Sequence, residues 1–200
     1  MQRKHFLYFS LAALVSLGAI LGTELFARPY VFQGSLIVPA VPAQDFTLTD
    51  QYGQPFELSD QQGKVILMFF GYTNCPDVCP LTLADFKQLK SQLGEAAEQV
   101  SFVFITVDPE RDTQERIKEY LANFDPAIVG LTGEHHELEH IWQDYGVYQA
   151  HEEIDKHENY SVDHSTRVYA VDKRGNLRVT YPFGMEREKI LQDVLHLVRE

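Results

Sequence analysis

From Val65 to Tyr72 the chain reads Val-Ile-Leu-Met-Phe-Phe-Gly-Tyr, with no charged side chain and no polar alternation. Strict alternation would mark a strand with one wet face; an unbroken apolar run bounded by Lys64 and Thr73-Asn74 marks a strand buried on both faces. Such a strand needs cover on each side, which points to an α/β domain. Val100–Val107 repeats the pattern. Between them, Pro80 is expected to open a helix whose apolar positions are Leu81, Leu83, Phe86, Leu89 and Leu93, ending near Gly94. Asp112 is expected to cap the next helix with Glu115 as its capping-box partner, and Ile117, Tyr120, Leu121 and Phe124 to face inward. Ile128–Leu131 reads as a short strand and Glu134–Tyr145 as a helix burying Leu138, Ile141, Trp142 and Tyr145. Val168–Val171 and Leu177–Tyr181 form a hairpin across Asp172–Asn176, and Arg187–Val198 a last helix with Ile190, Leu191, Val194, Leu195 and Val198 inward. An initial hairpin, Phe46–Thr49 with Phe56–Leu58, turns at Asp50-Gln51-Tyr52-Gly53. The expected architecture is a mixed sheet flanked by helices, occupying residues 44–200.

The N-terminal part differs in composition. Arg3 and Lys4 precede an uncharged stretch from Phe6 to Thr23, interrupted by Glu24 and continued by Leu25 to Ala27. At 1.5 Å per residue, about 20 helical residues span the roughly 30 Å of a bilayer core. A signal peptide would share these features. The length of the run, the bulky Leu25 and Phe26 and the lack of a small-x-small cleavage site favour an uncleaved anchor over residues 6–26. The positive residues put its N-terminus in the cytoplasm, so residues 1–27 read as cytoplasmic tail and transmembrane helix. The rest then faces the periplasm from a single-pass bacterial inner-membrane anchor. Pro29, Pro39 and Pro42 among small and apolar residues make 28–43 read as a linker.

A formal net charge of −12 argues against a nucleic-acid partner, since phosphate binding needs clustered Lys and Arg. The two cysteines, Cys75 and Cys79, cannot staple a disulfide scaffold; two thiols so close in sequence read as a redox pair or a metal site.

Those thiols follow the first buried strand directly, in Gly71-Tyr72-Thr73-Asn74-Cys75-Pro76-Asp77-Val78-Cys79-Pro80. A reactive pair at this strand-to-helix junction is the thioredoxin arrangement, and helix N-terminal N–H groups there favour thiolates. The spacing is Cys-x3-Cys. Helical i,i+4 positions hold Cβ atoms about 5–6 Å apart, whereas a disulfide wants about 3.8 Å. The spacing leans towards a metal, while the prolines leave a reversible disulfide open. A third ligand is expected in the loop before Val168–Val171, where thioredoxins carry a cis-proline. No proline lies between Tyr160 and Tyr181; His164 stands two residues before the equivalent slot at Thr166. Two thiolates with one imidazole suit copper in either oxidation state, whereas zinc would need water or Asp77 to complete four ligands.

Four collinear motifs carry a family resemblance: Phe70 to Pro80, Thr106-Val107-Asp108-Pro109-Glu110-Arg111-Asp112-Thr113, Gly130-Leu131-Thr132-Gly133, and Val162-Asp163-His164-Ser165. Over about Asp45 to Glu200 the chain resembles the Sco (SenC/PrrC) copper proteins required for cytochrome c oxidase assembly. The resemblance implies a thioredoxin fold behind one membrane span, and one Cu(I) or Cu(II) ion at Cys75, Cys79 and His164. It also implies a role as copper chaperone or thiol reductant for the dinuclear copper centre of oxidase subunit II, with another periplasmic copper chaperone or thiol reductant as further partner; redox sensing is proposed for some members. The rival class is a thiol–disulfide oxidoreductase in which Cys75 and Cys79 are the redox-active pair and His164 is dispensable.

Three further features carry weaker signals. Asp108–Asp112 follows a strand end and fits a docking surface, outer support for the ligands, or a plain turn and cap. His136 and His140, four apart on a helix, read as solvated surface. His151 and His157 flank an acidic segment, His151–Tyr160, expected to be a mobile loop covering the site, with Asp163 orienting His164.

Overall fold

The computed structural model describes residues 29–153 and 160–200; at 151–153 it describes the backbone alone. The expected anchor over residues 6–26 lies outside the described residues, among which no helix is long and apolar enough to cross a membrane. Met1–Val31 and Phe32–Glu200 are separate units, and the second holds all the regular structure described below.

The strands are β1 (Ser35–Pro42), β2 (Thr47–Asp50), β3 (Pro55–Glu57), β4 (Val65–Gly71), β5 (Val100–Thr106), β6 (Val129–Thr132), β7 (Gln149–Glu153), β8 (Tyr160–His164), β9 (Arg167–Val171) and β10 (Asn176–Pro182). The helices are α1 (Val78–Leu93), α2 (Gln114–Ala122), α3 (His135–Asp144) and α4 (Arg187–Arg199). Eight strands form one sheet in the order β1-β10-β9-β4-β5-β6-β2-β3, while β7 and β8 pair with each other as a separate ribbon. β4 runs parallel to β5 and antiparallel to β9, so it occupies the middle of the sheet. Every residue of β4 is buried, as its unbroken apolar run requires, and Phe69 and Phe70 are fully so. Burial of each such ring contributes about 1.5–3 kcal/mol relative to exposure. α1 and α4 pack on one another, joined by an Arg187–Asp85 ion pair, and α2 packs on β6, where Gly130 leaves room for Ile117 and Leu121.

The expected mixed thioredoxin-like sheet is present, and four local expectations are corrected. Helix α1 starts at Val78, so Pro80 sits in its first turn instead of opening it, and Leu81 is exposed. Proline is tolerated there because first-turn N–H groups have no intrahelical acceptor. Thr113, not Asp112, caps α2: its hydroxyl accepts from the Arg116 N–H, while Asp112 turns inward and is fully buried. The capping box lies instead at Glu134 and Glu137 of α3. Half of the expected 28–43 linker, Ser35–Pro42, is edge strand β1, antiparallel to β10. An edge strand tolerates Pro39 and Pro42 because one row of its N–H groups faces away from the ladder.

Candidate metal centre

The thiol turn begins where β4 ends. Gly71 O accepts from Val107 N–H at 2.8 Å, keeping the two central strand ends together. Tyr72 O then accepts from Cys75 N–H at 3.3 Å, turning the chain towards α1. Behind this turn stands the buried carboxylate of Asp112. It accepts from Thr73 N–H (3.1 and 3.2 Å), from the Thr73 hydroxyl (2.6 Å) and from the Thr106 hydroxyl (2.7 Å). Burial raises its affinity for a proton while these donors oppose that shift. On the outer side, Arg116 donates from Nε to the Thr73 hydroxyl and from Nη2 to Asn74 Oδ1, each at 3.2 Å.

Cys75 is half-buried and Cys79 fully buried in the first turn of α1. Both are free thiols. The Cys79 N–H points at Cys75 Sγ, 3.5 Å away. The Cys75 thiol is pulled down to about 3, first by the hydrogen bond from Cys79, against burial, then by His164 and helix N-terminal amides. Cys79 moves the other way, pushed up by its bond to the Cys75 thiolate and by burial. The pair therefore holds one negative charge and one proton, with the charge on the more exposed sulfur.

His164 ends β8 and is buried against the Phe69 and Tyr72 rings, whose centroids lie 6.1 and 5.7 Å from its own. Its Nδ1 lies 3.0 Å from Ser165 O, which can only accept, so Nδ1 donates there and Nε2 is the nitrogen turned towards the sulfurs. That Nε2 is 3.6 Å from Cys79 Sγ. Cys75, Cys79 and His164 each offer a donor atom within 4.8 Å of the others. The donor set fits a soft metal: two sulfurs, one of them already ionised, and one imidazole whose Nε2 faces them.

All three expected ligands are thus brought together. Asp163 is exposed on the opposite side of β8, and the Ser165 carbonyl, not Asp163, orients the imidazole. Alternation along the strand explains the difference, because residues 163 and 164 must face opposite ways. His136 and His140 are exposed on α3 and join no metal-binding cluster among the described residues. His157 and the His151 side chain lie outside the described residues. The expected mobile loop is instead, in its described part, the β7–β8 ribbon. Sequence reasoning gave no role to Tyr160, which meets Arg111 and Asp108 across the site; separations of 49 and 52 residues leave no local signal.

A thioredoxin-like sheet that carries two cysteines and a histidine in bonding register defines a class of metal-binding or thiol-exchanging proteins. The SCO1/SenC family profile matches residues 38–199, and the chain belongs to that family. An SCO2-like protein of Rickettsia prowazekii is 35% identical over 148 residues, 74% of this chain and 72% of that protein. The structure of Bradyrhizobium japonicum ScoI with copper bound is similar at a TM-score of 0.73 and 35% identity, covering 79% of this chain and 99% of that one. BsSco, described with a disulfide switch and as a member of the Sco family of cytochrome c oxidase assembly proteins, is similar at a TM-score of 0.65 and 25% identity, covering 84% and 98%.

Proposed function

We propose that this chain carries copper for cytochrome c oxidase assembly. It holds one ion as cargo at Cys75, Cys79 and His164 and passes it towards the dinuclear copper centre of oxidase subunit II. The observation that carries this reading is the convergence of two sulfurs and an imidazole nitrogen within 4.8 Å. The likeness to copper-bound ScoI supports the choice of metal. Cys75 is ready to bind in the resting protein, and loading displaces the proton that Cys79 retains. Affinity therefore falls in acid. In this reading residues 6–26 anchor the protein in a bacterial inner membrane and the sheet domain works in the periplasm.

The test is copper titration of the purified, reduced full chain, read by absorbance and spin resonance. His164→Ala is expected to weaken binding by more than the roughly 10–100-fold that outer-shell changes cost, and to abolish the nitrogen coupling of the Cu(II) signal. Retention of wild-type affinity by His164→Ala would defeat the three-donor site.

A second reading, a thiol–disulfide reductant for the oxidase cysteines, is favoured by the ionised Cys75 beside a protonated Cys79. It predicts that His164→Ala reduces a model disulfide as fast as the wild type and supports oxidase assembly. The copper reading predicts that assembly fails in this variant.

A further inference from the structure

β8 delivers the histidine, yet β7 and β8 pair only with each other among the described strands. Something other than a sheet ladder must hold β8 against the domain. Its inner face is Tyr160, Val162 and His164, which share one side by the two-residue period of a strand. At the far end of that face the Arg111 guanidinium lies over the Tyr160 ring, Cζ 3.6 Å from the centroid, and Nη1 donates to Tyr160 O at 2.9 Å. Arg111 Nε donates to Asp108 Oδ2 at 2.5 Å, and the Tyr160 hydroxyl donates to Asp108 Oδ1 at 2.6 Å. The three side chains close a ring. Its base is rigid: Asp108 is fully buried, and its own N–H donates to the Thr106 hydroxyl at the end of β5.

We propose that Asp108, Arg111 and Tyr160 form a latch that positions His164, tying the ribbon to the end of the central sheet so that the imidazole meets the two sulfurs. A buried carboxylate shared by a guanidinium and a phenol makes short, charge-assisted bonds, and the cation–ring stack adds to them. Because Tyr160 and His164 lie on the same strand face, fixing one fixes the other. β8 is held as well by the burial of Val162, by a hydrogen bond between the Tyr72 phenol and the Val162 backbone, by the Phe69 and Tyr72 rings against His164, and by the chain itself, in which only Ser165 and Thr166 separate His164 from β9. The latch residues touch neither sulfur nor imidazole; they act through His164, and the inference rests on His164 being a copper donor.

The test compares Tyr160→Ala, Arg111→Ala, the milder Tyr160→Phe and Arg111→Lys, and His164→Ala in the full chain. In the copper-free reduced protein, Tyr160→Ala and Arg111→Ala are expected to speed amide hydrogen exchange at Val162 and His164 while leaving exchange in β4 unchanged. In copper titrations they are expected to lose about 10-fold in affinity and most of the nitrogen coupling of the Cu(II) signal. Tyr160→Phe, which keeps the stack, is expected to lose less. Added to His164→Ala, Tyr160→Ala is expected to cost nothing more, because there is then no third donor to place. Should the alanine variants fail to fold, the same pattern is required of Tyr160→Phe and Arg111→Lys. Wild-type affinity and nitrogen coupling in the latch variants, or a loss that adds fully to that of His164→Ala, overturns the latch alone. Wild-type affinity in His164→Ala instead overturns the three-donor reading, and the latch with it.

Discussion

The sulfur side and the nitrogen side of the centre are held by different kinds of structure. The cysteines sit on a turn continuous with β4 and α1, backed by a buried carboxylate and covered outside by Arg116. The histidine sits on a ribbon outside the main sheet, separated from β9 by Ser165 and Thr166, and is held by the buried Val162, the Phe69 and Tyr72 rings and the Asp108–Arg111–Tyr160 cluster. A metal at such a centre has two donors set by the core and one set by a strap. Loss of the third donor need not disturb the other two, which is the asymmetry a carrier needs if it is to bind firmly and still hand over.

The largest effect that would test this contrast is expected at Asp112. Asp112→Ala strands three buried donors, the Thr73 N–H and the hydroxyls of Thr73 and Thr106. Each unpaired buried group costs about 1–3 kcal/mol, so this variant should lose several kcal/mol in urea denaturation. Asp112→Asn, which keeps an acceptor oxygen for the turn, should lose less. If Asp112→Ala proves no more harmful to stability than Tyr160→Ala, the sulfur side is not the rigid one and the contrast fails.

Gly71 tests the same side sterically. A Cβ there would lie 2.8 Å from Phe69 Cε1, 2.9 Å from Cys79 Sγ and 3.0 Å from Phe104 Cε2. Neither ring nor the sulfur has anywhere to go, since all three side chains are fully buried. Overpacking of this kind costs about 1–3 kcal/mol. Gly71→Ala should therefore lower the Tm of the reduced chain and change the reactivity of Cys79 with a thiol reagent. An unchanged Tm would mean that the sulfur seat yields as readily as the strap.

How far the sequence revealed this centre follows the same division. The sulfur side was legible because it is local: an unbroken apolar run, a motif straight after it, and a helix pattern beyond. His164 was legible from its place just before a strand, in the loop where thioredoxins carry a cis-proline, and that strand, β9, pairs with β4. What holds it was not. Arg111 and Tyr160 meet only through the fold, and the acidic, histidine-bearing stretch around β7 and β8 has the composition of a loop. Asp112 was misjudged for a related reason. Its spacing to Glu115 satisfies a local capping rule, but burial against Thr73 and Thr106 prevailed and Thr113 took the cap. β1 was hidden by its prolines, whose composition reads as linker although an edge position accommodates them.

The smallest expected effect lies at the other end of β9, five residues and about 17 Å along the strand from the histidine loop. There Asp172 accepts from the Arg174 and Asn176 N–H groups and from Arg178, which also binds Glu200 at 2.7 Å. Burial pushes the Asp172 carboxyl up, but the Asn176 and Arg178 donors outweigh it and hold it below the ordinary value of 3.8; Arg178 first of all holds Glu200 below 4.5. Folded-state values below unfolded ones mean that the folded protein binds fewer protons. The stabilisation is present above the ordinary carboxylate range and disappears as pH falls through the lowered values. Arg178 is mostly shielded but Glu200 is partly exposed, so the gain at neutral pH is at most about 1 kcal/mol. Arg178→Met should remove that gain, flatten the acid limb of a stability-against-pH curve below about pH 4, and leave copper affinity and Cys79 reactivity at pH 7 unchanged. A change in copper affinity would mean that β9 transmits strain along its length, and that the nitrogen side is held by the core after all.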